Sequence, residues 1–211
     1  MKSIVCSHGF GVDATDRGLF TDIAAAFPDA DFRMFDYNTK DAAGNMTVRP
    51  LGDQVAQLKT ELNKTTGGVT LLCHSQGCIV ASMLPDFSKV ERMIFLTPPQ
   101  DFDIERFSRI FGDRPGAVFN RDGASSFPRR DGTTTYIGKD YLDSIESIDV
   151  LGLYAKAATA RPVTIVRASD DEIAGDTDFT SVGATVLTLP SGHDFSGEAR
   201  TGLIETLKPL I

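Results

Sequence analysis

The chain has 211 residues, of which 41% are hydrophobic and 24% charged, and its formal net charge is −8. That length fits one domain with a full hydrophobic core, the composition is that of a soluble globular protein, and no apolar run nears the roughly 20 residues of a membrane span. No basic block beyond Arg129-Arg130 offsets the acidic balance, which excludes nucleic acid and anionic membrane surfaces as expected partners.

The chain opens with one Lys and a few apolar residues before His8, too short for a signal-peptide core, so a cytoplasmic protein is expected. A β-branched run predicts a strand over residues 3–7, and the glycine-rich His8-Gly9-Phe10-Gly11 follows it. A helix is predicted over 18–26, a strand over 31–36 and a helix over 51–64, where Val55, Leu58 and Leu62 share one face. The apolar run 69–73 predicts a strand that passes at once into a helix over 76–84, and a further strand is predicted over 92–97. Residues 98–160 break the rhythm. They hold the turn signals Asp122-Gly123 and Asp131-Gly132, a β-favouring run 133–137, and helical patterns at 139–148 and about 150–158. This segment reads as an insertion over the strand ends of a single domain spanning 1–211. Strands over 163–168 and 184–189 and a helix over 198–210 complete the pattern. Several strands are apolar almost throughout, and the alternation with helices predicts an open, mostly parallel sheet of about six strands in a three-layer α/β/α sandwich.

All three histidines lie at predicted strand ends beside glycine or serine: His8, His74 and His193. The run Cys73-His74-Ser75-Gln76-Gly77 places a serine where a strand turns into a helix. Such a turn pushes the hydroxyl out of a strained backbone, and the helix N-terminus behind it favours developing negative charge. The plain alternative is a serine that caps the helix. Strand and helix approach closely there, so small side chains are needed at Cys73 and Gly77. The glycines beside Phe10 let the backbone aim N–H groups into a cavity, and the N–H groups of Phe10 and Gln76 together could bind an oxyanion. His193, after the last strand, is the candidate proton shuttle, while His8 and His74 shape the loops that carry them. The acidic loop Ser169-Asp170-Asp171-Glu172 offers the carboxylate that would orient His193, with Asp171 preferred and Asp170 as its competitor. None of the histidines has metal-ligand spacing, and the three cysteines suggest neither a disulfide framework nor a zinc site, so no metal or cofactor is expected.

These four segments, in the order Ser75, Asp171, His193 with His8-Gly9-Phe10 leading, resemble the α/β-hydrolase fold family over nearly the whole chain. The resemblance implies a fold without the family's first two strands and a nucleophile elbow in which Cys73 replaces the usual glycine. It implies an acid three residues after a small one, which from Ala168 selects Asp171, and a small cap at about 98–160. The function expected is that of a serine hydrolase of carboxylesterase type, cleaving a small ester through an acyl-enzyme. Thioester hydrolysis or acyl transfer by the same residues, and a non-catalytic binding protein of the same fold, are the rival expectations. Seven of the aromatics in 98–160 (Phe102, Phe107, Phe111, Phe119, Phe127, Tyr136 and Tyr141) suit either an apolar pocket or the insertion's own core.

Overall fold

The computed structural model describes residues 2–113 and 115–211. The chain begins with β1 (Lys2–Ser7), α1 (Leu19–Ala26) and β2 (Ala30–Arg33), then makes two short strands, β3 (Thr39–Lys40) and β4 (Met46–Val48). α2 (Leu51–Asn63), β5 (Val69–His74), α3 (Gln76–Ser82) and β6 (Val90–Leu96) follow. An excursion then carries α4 (Ile104–Phe107), a π-helical turn over Ser108–Gly112, β7 (Ser125–Pro128), β8 (Thr134–Ile137), α5 (Lys139–Ile145) and α6 (Val150–Ala160). β9 (Val163–Ala168), β10 (Thr185–Leu189) and α7 (Glu198–Leu207) end the chain.

Six strands form the main sheet in the order β10-β9-β6-β5-β1-β2. All its pairings are parallel. Both faces are covered, which is why its central strands read as unbroken apolar runs rather than alternating ones. The alternation is nonetheless present. Val5, Leu71, Cys73, Phe95 and Ile165 face one core with side chains of α2, α3, α5 and α6. Ile4, Cys6, Leu72, Ile94, Leu96 and Val166 face the other, with Leu19, Phe20 and Ile23 of α1 and Leu203 and Leu207 of α7. No helix among the described residues is long and apolar enough to cross a membrane.

The excursion between β6 and β9 differs from its sequence reading. β7 and β8 join β3 and β4 in a second sheet of order β3-β4-β8-β7, so the segment is tied to residues 39–48, for which no element was predicted. β8 lies parallel to β4, with Met46 opposite Thr135 and Val48 opposite Ile137. Apolar side chains of the excursion, among them Phe107, Phe127, Ile137 and Tyr141, belong to the same core as α2 and α3. The predicted strand 31–36 stops at Arg33, because the Asp36 carboxylate instead accepts from the N–H of Ala14 at 2.8 Å and the Tyr37 N–H donates to His8 at 3.0 Å.

The strand order reverses at β1: the chain leaves it for β2 on one side and returns to β5 on the other. In an open parallel sheet this leaves a crevice beyond the carboxyl ends of the two strands. α3 must enter that crevice close against β1, and Gly77 allows it. A Cβ on Gly77 would lie 2.1 Å from the Ser7 carbonyl oxygen, which is rigid backbone. The Ser7 hydroxyl closes the contact by donating to the Gly77 carbonyl at 2.9 Å while lying 2.7 Å from the Tyr37 hydroxyl. Gly77→Ala should therefore lower stability by about 3 kcal/mol or more, read as a fall in the urea unfolding midpoint. Gly52→Ala on α2, where a new Cβ meets nothing within 4 Å, should leave that midpoint unchanged or slightly raised.

Candidate active site

Ser75 belongs to strand and helix at once. Its N–H still donates across the sheet to the Leu96 carbonyl at 2.9 Å, and its own carbonyl already accepts the first helical bond, from Cys78 at 3.0 Å. Both bonds are met only with Ser75 at φ 52°, ψ −126°, a region that costs a non-glycine residue about 1–3 kcal/mol. The hydroxyl makes no capping bond to the helix; it lies 2.9 Å from His193 Nε2.

His193 follows β10 and is buried. Its Nδ1 lies 2.9 Å from both carboxylate oxygens of Asp171. A carboxylate can only accept, so Nδ1 carries the proton and Nε2 is left to accept from Ser75. Asp171, in the loop after β9, is buried and also accepts from the N–H groups of Ile173 at 2.9 Å and Ala174 at 2.7 Å. Burial alone pushes the Asp171 carboxyl up. The hydrogen bond and charge of His193 and the two N–H donors together outweigh burial, and the net shift is below the ordinary carboxylate value. Asp170 is exposed, and its carboxylate accepts from the Ser169 hydroxyl at 2.8 Å.

The other two histidines are held neutral by burial. The His74 Nε2–H donates to the His193 carbonyl at 3.2 Å. Burial first, and the neighbouring His193 second, push its pKa from 6.5 to about 3. His8 accepts the Tyr37 N–H at Nε2, so its proton sits on Nδ1, 2.9 Å from the Gly9 carbonyl. Burial lowers its pKa against the opposing pull of that carbonyl and of Asp36. Gly9 itself lies against Ser75, where an added Cβ would come within 3.1 Å of the serine Cβ.

Two partners of His193 were not read from the sequence. Thr97, at φ 44°, donates its hydroxyl to the His193 carbonyl at 3.0 Å, and Glu172 accepts the His193 N–H at 3.3 Å. Thr97 had one available signal, its place at the end of a central strand before Pro98-Pro99.

A pocket opens over Ser75 and His193. Its apolar lining includes Phe10, Phe102, Phe107, Ile110 and Phe111, with Leu19 and Phe20. The Phe10 ring packs edge-on against Phe107 at 5.0 Å and Phe111 at 5.1 Å. Of those seven aromatics, Phe102, Phe107 and Phe111 line this pocket, Phe127 and Tyr141 are buried outside its lining, Phe119 is half-buried, and Tyr136 is exposed. Among the described residues no group of three or more His, Cys, Asp or Glu side chains could hold a metal ion.

No protein-family model matches this chain, and no curated protein matches it. Solved structures do. It is similar to the α/β hydrolase GrgF from Penicillium sp. sh18 (TM-score 0.70, 16% identity, covering 98% of this chain and 88% of that one). It is similar to a hydrolase from Pseudomonas aeruginosa PA01 (TM-score 0.70, 15% identity, 99% and 89% covered). Est1E from Butyrivibrio proteoclasticus gives a TM-score of 0.65 at 15% identity, with 99% and 86% covered. At such identities the likeness is one of fold, and this chain has the α/β-hydrolase fold over nearly its whole length.

The neutral histidines carry a pH consequence. A histidine whose folded pKa lies below its unfolded one stabilises the fold fully above the unfolded value and loses that contribution as pH falls toward the folded value. For His74 the window runs from 6.5 down to about 3. The urea midpoint should therefore fall as pH drops from 7 to 4, and His74→Gln, which keeps an N–H donor, should flatten the slope by up to about 1.4 kcal/mol per pH unit.

Proposed function

We propose that this protein is a serine hydrolase that cleaves a small carboxylic ester. The observation that carries this reading is the unbroken chain Asp171–His193–Ser75, each link at 2.9 Å, ending on a hydroxyl held out by a strained backbone. Ser75 Oγ attacks the ester carbonyl as His193 Nε2 takes its proton. The tetrahedral intermediate expels the alcohol, which leaves with the proton returned by His193, and an acyl group stays on Ser75. A water that gives its proton to His193 then attacks the acyl carbon; the resulting tetrahedral intermediate breaks its bond to Ser75 Oγ, which takes that proton back from His193, and the acid is released. Asp171 keeps the His193 proton on Nδ1 and stabilises the imidazolium.

The oxyanion sits between the backbone N–H groups of Phe10 and Gln76. Gln76 is the first residue of α3, so its N–H has no acceptor within its own helix. Gly9 beside Phe10 lets that loop lie against Ser75, where an added Cβ would come within 3.1 Å of the serine Cβ. The segment between β6 and β9 serves as the cap: its Phe102, Phe107 and Phe111 form the apolar wall that receives the acyl or alcohol group. His8, Gly9, His74 and Gly77 support the loops that carry these groups.

Purified protein should hydrolyse p-nitrophenyl butyrate with an initial burst and be labelled at Ser75 by a fluorophosphonate. Ser75→Ala should abolish the labelling and lower kcat/KM on the order of 10⁴-fold or more, and Asp171→Asn should lower it by at least about 100-fold. Asp170→Asn should stay within roughly threefold of wild type, as a surface change does. Equal activity in wild type and Ser75→Ala would refute the reading.

A further inference from the structure

A chain of buried polar side chains runs from the cap to the elbow and serves neither the serine nor the histidine. Tyr141, Gln76 and Gln54 are 0%, 2% and 1% exposed. The Gln54 amide Nε2 donates to the Arg49 carbonyl at 2.7 Å. Gln76 Nε2 donates to Gln54 Oε1 at 2.9 Å, and the Tyr141 hydroxyl donates to Gln76 Oε1 at 2.6 Å. The polarity of this chain leaves no choice. A carbonyl can only accept, so the Gln54 amide faces it with nitrogen; that turns Gln54 oxygen toward Gln76 and Gln76 oxygen toward the phenol. Burial raises the Tyr141 pKa well above its ordinary value, so the phenol keeps the proton it donates.

The same tyrosine reaches the other half of the candidate oxyanion site. Its ring packs against that of Phe10, centroids 5.5 Å apart. Phe10 and Gln76 sit on different loops, after β1 and after β5, and Tyr141 of α5 touches both, one through its ring and one through its hydroxyl. α5 is itself anchored to α2, where the Ser144 hydroxyl accepts the Leu51 N–H at 3.0 Å.

We propose that Tyr141 is a positioning residue for the oxyanion donors, fixing from the cap the spacing between the Phe10 and Gln76 N–H groups. The proposal rests on the serine-hydrolase reading above. Donors aimed at an oxyanion act on the transition state rather than on the bound ester, so a small loss of aim lowers turnover and leaves binding. The ester's binding wall is formed by Phe102, Phe107, Ile110 and Phe111, which a missing hydroxyl on Tyr141 leaves in place.

The test is Tyr141→Phe, assayed with p-nitrophenyl butyrate and normalised to the fraction of sites that a fluorophosphonate labels. The expected result is a kcat roughly 5- to 30-fold lower, KM within about twofold of wild type, and an unchanged shape of the pH–rate profile. Affinity for a trifluoromethyl ketone, which forms the oxyanion on Ser75, should fall by the same factor. Gln76→Met removes the acceptor of the hydroxyl while keeping the backbone N–H, and it should give the same split if Tyr141→Phe does not fold. A hydroxyl that only supports the fold would lower the melting temperature and leave kcat per labelled site at the wild-type value, and that result overturns the proposal. Wild type that neither turns over the ester nor labels at Ser75 would overturn the serine-hydrolase reading, and this proposal with it. An active, labelled wild type matched within twofold by Tyr141→Phe would overturn the role of Tyr141 alone.

Discussion

The close approach of α3 to β1 is the constraint on which the rest of the site depends. Gly77 lies so near the Ser7 carbonyl that no side chain fits between them. That contact lets the helix begin immediately at the end of β5, and the abrupt start drives Ser75 to φ 52°. The strain of about 1–3 kcal/mol is offset locally. Every residue of β5 and of α3 is buried, and each large aliphatic side chain removed from water contributes roughly 1.5–3 kcal/mol. A short, fully enclosed strand-helix unit thus holds one residue in a conformation it would not adopt alone, and that residue carries the hydroxyl that faces the pocket.

Three histidines share this neighbourhood, and their partners separate them. His8 meets a backbone donor on one nitrogen and a carbonyl on the other, so both of its ring positions are spoken for. His74 is buried beside His193, burial above all disfavours a charge on it, and it is left as a neutral donor to a carbonyl. Only His193 has a carboxylate on one nitrogen and a hydroxyl on the other. The carbonyl of His193 is gripped by His74 and Thr97 and its N–H by Glu172. The backbone that carries the imidazole is therefore fixed from three directions.

The sequence revealed this arrangement unevenly, for physical reasons. The main sheet was legible because strands covered on both faces must be apolar throughout, and its loops were legible because glycine, serine and histidine cluster at the strand ends. The second sheet was not. β3 and β4 are two and three residues long and lie in a polar stretch with Asp41, Gly44 and Asn45, where no periodicity can develop. They become strands only by pairing with each other and with β8, some ninety residues on. The roles of Thr97 and Glu172 were hidden for the same reason: each depends on a partner distant in sequence. Asp171 stood beside an equally acidic neighbour, and what separates them is burial, a property of the folded loop. Gln76 could be read only through its backbone, since its side chain has meaning once Gln54 and Tyr141 are packed around it.

The excursion between β6 and β9 is bound to the site more tightly than a hinged flap would be. Arg129, which follows β7, donates from one nitrogen to the Gly11 carbonyl at 2.6 Å and from another to Asp16 at 2.9 Å. A half-buried ion pair of this kind contributes little to stability by itself. A planar guanidinium that bonds a carbonyl and a carboxylate together does something else, because it fixes the direction of the loop it holds. Gly11 sits at φ 61° next to Phe10, whose ring is packed by Phe107, Phe111 and Tyr141. The loop after β1 is thus gripped at its side chain and at its carbonyl by the same excursion that walls the pocket. Swinging that excursion away would uncover the pocket and release the loop in one motion. Access to Ser75 is therefore more economically supplied by the standing opening of the pocket than by movement of this excursion, which under the proposed ester-hydrolase reading would shape the ester's apolar group and hold the Phe10 loop at the same time.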